Sequence, residues 1–318
     1  MKKKIVSLVL ALMLCLSCVS ALAAEAWTVT CPWAPSGVAA MVNQKAASLS
    51  PTYSQDYVLV ANAEKGDTAT INSWLTKYTE ADPQMCFIGE GMFGITAILD
   101  PERMNFTYDD FEYVENLYSS IFVASARKEL GITSIDALKA YLEEGNQIMV
   151  GTNGATGSEA FLAAALIGAM GYGDQFYLIP YESAAEAAQA VARGEVDIAV
   201  SHQSQILETW QQGGVDVFAA FDGEPIAQGP FKGVEGVGQY GYPYFRNRCF
   251  IFAKAGADEQ KIADLKALYA QILTDEEMVD WLNNTMLLEA DMMTEEEVIA
   301  HIDNVKNIVE EYYDLVAE

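Results

Sequence analysis

Basic residues are scarce in this chain: 18 Lys and Arg stand against 45 Asp and Glu, a formal net charge of −27. A surface this acidic is repelled by nucleic acid and by anionic lipid, which argues against both as partners. Histidine is scarcer still, with only His202 and His301. There is no HExxH, no paired CxxC and no EF-hand spacing, so neither a metal nor another cofactor is expected. No G-x-S-x-G elbow is present, and a triad of Ser158, His202 and an aspartate has no supporting spacing. The chain is therefore not expected to be an enzyme. Long apolar runs are limited to one, Ile5–Leu16, which follows Lys2, Lys3 and Lys4 and precedes Ala21-Leu22-Ala23-Ala24. That pattern predicts a secretory signal over residues 1–24, cleaved after Ala23 or Ala24, and an exported protein, periplasmic or associated with the cell surface. A lipid anchor on Cys18 competes, but Cys15-Leu16-Ser17 is a poor lipobox. Beyond the leader only Cys31, Cys86 and Cys249 remain, each in an apolar, strand-like stretch, and they read as buried small hydrophobes.

What is present is alternation. Strand patterns such as "WTVTCPW", "YVLVAN", "MCFIGEG", "QIMVG", "FYLIPY" and "VDIAVS" are separated by helical stretches, which predicts βαβ units and mainly parallel sheets. Thr156-x-x-Glu159, Ser183-x-x-Glu186, Thr274-x-x-Glu277 and Thr294-x-x-Glu297 fit the capping box. Two βα-rich halves and a helical tail suit two lobes better than one doubly wound domain. The expected division is 25–125 with 220–318 as lobe 1 and 126–219 as lobe 2, crossed near 124–126 and after "VDVFAAF", with the tail helices on lobe 1.

The stretch "VGTNGATGSEAFLAAALIGAMG", residues 150–171, ends a strand, loosens into small and hydroxyl residues, and launches a helix. It lacks the lysine of a Walker A loop and the spacing of G-x-G-x-x-G. Its backbone N–H groups and the helix dipole can instead hold a carboxylate or phosphate. "CPWAPSGVAAM" has the same plan in the other half. His301 reads as a helix-surface residue. His202 opens a polar cluster at the C-terminal end of a strand, where open α/β sheets bind ligands, though simple loop polarity explains it too.

These segments resemble the tripartite tricarboxylate transporter receptors, the Bug-type extracytoplasmic solute receptors. In "WTVTCPWAPSGVAAM", Pro32, Trp33, Ala34 and Gly37 match the family's first loop, and Ser36 takes a usual glycine position. In order follow "VLVAN", "FTYDDFEYVENL", "IMVGTNGATGSEAFLAAAL", "IPYESAAEAAQAVARGEVDIAVS" and "GYPYF", so the likeness covers residues 27–318. It implies a two-lobed Venus-flytrap fold of the periplasmic-binding-protein type with two hinge crossings. It also implies a monomer that captures a small carboxylate-bearing solute and hands it to membrane permease subunits. A secreted sensor without transport, or a hydrolase, is the alternative.

By position the resemblance implies a first clamp at Pro35, Ser36, Gly37, Val38 and Ala39, and a second at Thr152, Asn153, Gly154, Thr156, Gly157 and Ser158. Gly89, Glu90 and Gly91, with Ser201, His202 and Gln203, are expected at the cleft edge. Trp33, Phe93 and Tyr181 are candidates for an aromatic wall. Two departures stand out: Ala40 replaces an aspartate that contacts ligand in many members, and Glu90 is an acid where small or hydroxyl residues are usual. The solute is then not necessarily a standard tricarboxylate.

Overall fold

The computed structural model describes residues 24–316; the expected leader, with Cys18, lies outside the described residues apart from Ala24. Eleven strands form two sheets. The first has the order β11-β4-β10-β3-β1-β2, built from β1 (Glu25–Cys31), β2 (Tyr57–Ala63), β3 (Gln84–Gly89), β4 (Phe111–Ser120), β10 (Asn247–Lys254) and β11 (Glu289–Ala290). The second has the order β7-β6-β8-β5-β9, from β5 (Phe122–Arg127), β6 (Ile148–Asn153), β7 (Phe176–Tyr181), β8 (Ile198–His202) and β9 (Val215–Ala220).

Parallel pairing holds where a helix joins the strands: β1 with β2 and β3, β6 with β7 and β8. The crossing strands are antiparallel, β4 with β10 and β5 with β9, so each sheet is mixed rather than mainly parallel. The reason is direct. A strand leaving a sheet for the other one, and the strand that returns, run in opposite directions without a crossover helix. The change of sheet falls at Ile121, ahead of 124–126, because Ala124 and Ala126 already pair with Val200 and Ile198 of β8.

Each sheet is covered on both faces, which is why its strands read as continuous apolar runs. The period of two sorts them. Met85 and Phe87 of β3 join one core, with Ile251 and Ala253 of β10 and Trp27 and Val29 of β1. Cys86 and Ile88 point the other way, into an aromatic cluster with Phe93, Phe106, Phe111, Phe250 and Phe252. Phe93 is therefore a packing residue. Cys31, Cys86 and Cys249 are buried free thiols, and burial pushes Cys31 up to about 12.

Helix α1 (Val38–Tyr53) covers the first sheet through Val42, Ala46 and Leu49; Ala40 is also in that core and does not reach solvent. Further helices are α2 (Thr68–Lys77), α3 (Ile135–Glu143), α4 (Ser158–Ala169), α5 (Ala184–Ala192), α6 (Gln203–Gln211), α7 (Glu259–Leu273), α8 (Glu276–Trp281) and α9 (Glu295–Glu311). The predicted caps divide. Thr294 and Glu297 form the reciprocal box of α9, and the Ser183 hydroxyl accepts from the Glu186 N–H. Thr274 instead ends α7, and the shorter Asp275 carboxylate caps α8. Thr156 does not cap α4, whose cap is Gly157.

Helix α9 presents Val298, Ile302, Val305 and Val309 along one stripe. The first two enter the aromatic cluster of the first sheet, and the last two join Phe161 and Leu162 of α4 in the core of the second. The tail therefore packs on both halves. Phe252, fully buried at the centre of the aromatic cluster, is the test of this packing: Phe252→Ala should cost about 3–5 kcal/mol in urea unfolding.

Candidate functional site

A cavity of about 520 Å³ opens between the two sheets. Its walls are built by the ends of strands and the starts of the helices that follow them. From the first half come Pro32, Trp33, Ala34, Gly37, Val38 and Ala39 between β1 and α1, with Gly89, Glu90, Gly91 and Met92 after β3. From the second come Asn153 through Glu159 between β6 and α4, with Tyr181 and His202 at the ends of β7 and β8. Among the expected residues, Pro35 and Ser36 are exposed outside the lining, and Thr152, Ser201 and Gln203 are buried behind it. Thr152 serves the loop from within, its hydroxyl donating to the Gly154 carbonyl at 2.8 Å.

Both loops aim a helix N-terminus at the cavity. The amides of Ala155, Thr156 and Gly157 donate to no backbone carbonyl among the described residues, whereas that of Gly154 is spent on the Tyr181 carbonyl at 3.0 Å. Gly37, the cap of α1, and Gly157, the cap of α4, offer no side chain to their helices. Orphan N–H groups and the helix dipole make each end favourable to a negative group. A Cβ on Gly157 would lie 3.0 Å from the Asn153 carbonyl oxygen, so the loop needs glycine there for close approach.

Besides the Ser120–His202 bond beside the strand crossing, three polar contacts among the described residues join the two halves across the cavity. Ser158 Oγ donates to Glu90 Oε1 at 3.0 Å, Arg103 Nη1 donates to Thr156 Oγ1 at 2.9 Å, and Lys65 Nζ pairs with Glu182 at 2.5 Å. Gly91 permits the first contact, because a Cβ there would sit 2.7 Å from Ser158 Oγ. Lys65, Asp67 and Arg103 had no signal in the sequence as site residues; they reach the mouth of the cavity from loops far away in the chain. Arg103 also pairs with Asp67 at 3.3 Å. The second loop is thus not without a cation nearby.

Deeper in, the lining is acidic. Glu90 is 0 % exposed and accepts from Ser158, from Asn247 Nδ2 at 2.9 and 3.2 Å, and from the Arg248 N–H at 2.8 Å. Burial raises its carboxyl, and those donors pull the other way. Glu159 is 5 % exposed and pushed up to about 7, by burial first and then by the Glu90 and Asp67 charges, against its own amide and Asn153. His202, 8 % exposed, bonds the Ser120 hydroxyl through Nδ1 at 2.8 Å and lies against Phe122. Burial pushes it down to about 3, so it is neutral at physiological pH. Ser158 is bonded to Glu90 and His202 to Ser120, so Ser158 and His202 are not paired with each other. His301 is half-buried on α9, where it contacts Arg248 at 3.1 Å and the Phe250 ring.

Two mixed α/β sheets with two strand crossings and a cavity between them define the two-lobed solute-receptor class. The chain belongs to the tripartite tricarboxylate transporter receptor family, whose model matches residues 87–308. It is similar in structure to the periplasmic binding protein BugD (TM-score 0.77, 17% identity, 92% of this chain and 98% of that one). It is also similar to MatC of Rhodopseudomonas palustris with bound malate (0.76, 17%, 92% and 98%) and to R. palustris Rpa4515 with adipate (0.80, 15%, 91% and 96%). No curated protein matches the chain. Among the described residues no helix is long and apolar enough to cross a membrane.

The raised Glu159 carboxyl gives a signed test. Its folded value, about 7, exceeds the ordinary 4.5, so the folded chain holds the proton more tightly than the unfolded one. Stability attributable to this group then falls as pH rises from 4.5 through 7. Glu159→Gln should stabilise the protein at pH 8 by on the order of 1–3 kcal/mol and confer no gain at pH 4.5, read as the difference in melting midpoint.

Proposed function

We propose that this protein is an exported, monomeric receptor that captures a small carboxylate-bearing solute between two lobes and delivers it to the membrane subunits of a tripartite tricarboxylate-type transporter. It acts by binding, without catalysis. The lobes follow the sheets, residues 24–121 with 221–316 and residues 122–220. The observation that carries the reading is the convergence of two helix N-termini, one from each sheet, on a single cavity. Family membership supports it, as do the malate in MatC and the adipate in Rpa4515. Burial lowers His202 to about 3 and makes it a weak base, and Ser158 is bonded to Glu90 instead of to it, which favours binding over hydrolysis.

In this reading the free amides of residues 155–157 and those opening α1 hold the carboxylate, with Trp33 and Tyr181 flanking it. Lobe closure is completed by the three contacts across the cavity, which select the closed form once a solute is seated. The tightest acid found in a thermal-shift screen of mono-, di- and tricarboxylates should lower the radius of gyration in solution scattering. An unchanged radius at saturation would refute closure. Ala155→Asp places a carboxylate on an exposed stretch of the loop wall. It should weaken that acid about 10- to 150-fold in calorimetry, the worth of one charge-assisted hydrogen bond, while melting as wild type does. Unweakened binding would locate the solute elsewhere.

A further inference from the structure

We propose that the deep end of the cavity recognises a protonated amine, so that the solute is a zwitterion, with amine and carboxylate on one small molecule, rather than a plain di- or tricarboxylate. This rests on the carboxylate-receptor reading and narrows it. The cavity is graded in charge. Its cations, Lys65 and Arg103, stand at the exposed mouth and are engaged by Glu182, Asp67 and Asp100. Its buried acids, Glu90 and Glu159, form no ion pair with any described residue, although each is more than nine-tenths buried.

The hydrogen bonds on Glu90 orient its carboxylate without neutralising it. Its donors are a hydroxyl, an amide side chain and a backbone N–H. The guanidinium of Arg248, whose backbone supplies that N–H, is turned away to Asp291 at 2.7 Å and to His301. Two carboxylates in one low-dielectric wall repel each other, and a cation placed between them removes that repulsion.

A second observation is independent of charge. Asn247 lines the cavity, is 7 % exposed, and commits its amide nitrogen to both oxygens of Glu90. Its Oδ1 is then a buried acceptor with no donor. Native proteins rarely leave such an atom unpaired. A carboxylate has no hydrogen to offer it; an ammonium group has three. The lining at this end thus presents acceptors in Glu90, Glu159 and Asn247, beside the start of α4, while the N-terminus of α1 and the free amides of residues 155–157 present donors. A molecule with an amine at one end and a carboxylate at the other satisfies both. A dicarboxylate would bring a further negative charge against two that are already uncompensated.

The test uses the wild-type chain and matched pairs that differ only by an amine: aspartate with succinate, glutamate with glutarate, β-alanine with propionate, 4-aminobutyrate with butyrate. In calorimetry at pH 7.5, the pair that contains the tightest binder should show the aminated member at least about tenfold tighter. Glu90→Gln and Glu159→Gln should each weaken that member about tenfold or more and leave its partner within about threefold, a change in preference that a merely structural role would not produce. Should Glu90→Gln fail to fold, Glu159→Gln carries the same comparison. An amine-free acid that binds as tightly as its partner overturns the inference and leaves the carboxylate-receptor reading intact. If no acid of either kind binds, that reading fails and this one with it.

Discussion

Glu90 is a fully buried carboxylate at the end of β3, and the geometry on either side of the cavity is organised by what it needs. A charge removed from water must find donors, and Glu90 takes them from three places: the start of β10, the backbone of Arg248, and Ser158 at the first turn of α4. The first two lock the floor of the first sheet. The third belongs to the other sheet. A single side chain therefore links the fold's internal order to the separation of its halves.

The crossing strands make such an arrangement available. Because β4 runs straight into β5 and β10 returns beside β4, the two sheets are joined by short paired segments. Residues just past the C-terminal ends of β1, β2, β3, β6 and β7 then face one another, although more than a hundred positions can separate them in the chain, as between Lys65 and Glu182. Helix α9 opposes free separation of the halves, since Val298 and Ile302 belong to one core and Val305 and Val309 to the other. Movement of the lobes must therefore bend about this helix or slide along its stripe, which confines the range of opening to what its packing tolerates.

Local pattern accounts for what could be read from the chain alone. The alternation of apolar runs with helices, the two small-residue loops before α1 and α4, and the resemblance to a receptor family all rest on residues close together in sequence. So did Gly37, Val38, Glu90, Gly91, Gly157 and Ser158, which the structure brings to one cavity. What escaped was set by tertiary placement. Nothing near Arg103, Asp67 or Lys65 in sequence indicates that two separate loops lift them to the same rim. Asn247 follows an unremarkable turn, and only the register of β10 against β3, where Cys249 pairs with Gly89, carries it to Glu90. The mixed sheets were missed for a similar reason: antiparallel pairing at the crossings is a property of topology, with no signature in periodicity. Thr156 was read as a cap, yet its hydroxyl answers to Arg103, and a glycine closes the helix.

Ala40 and Glu90 can now be considered together. Where many relatives are expected to place an aspartate after the first loop, this chain has a small apolar residue that sits in the core beneath α1 and contributes no charge to the cavity. The negative charge appears instead just after β3 and on the first turn of α4, one acid from each half. An acid on the first loop competes with that helix N-terminus for any carboxylate held there; acids on the far wall do not. Moving the charge leaves the N-terminus of α1 free to meet an anion and gathers the acids beside the start of α4, so that a solute spanning the cavity would meet two unlike ends. Closure that needs both ends filled discriminates more sharply than closure on an anion alone, because a ligand that fills only one end leaves either orphan amides or uncompensated carboxylates buried.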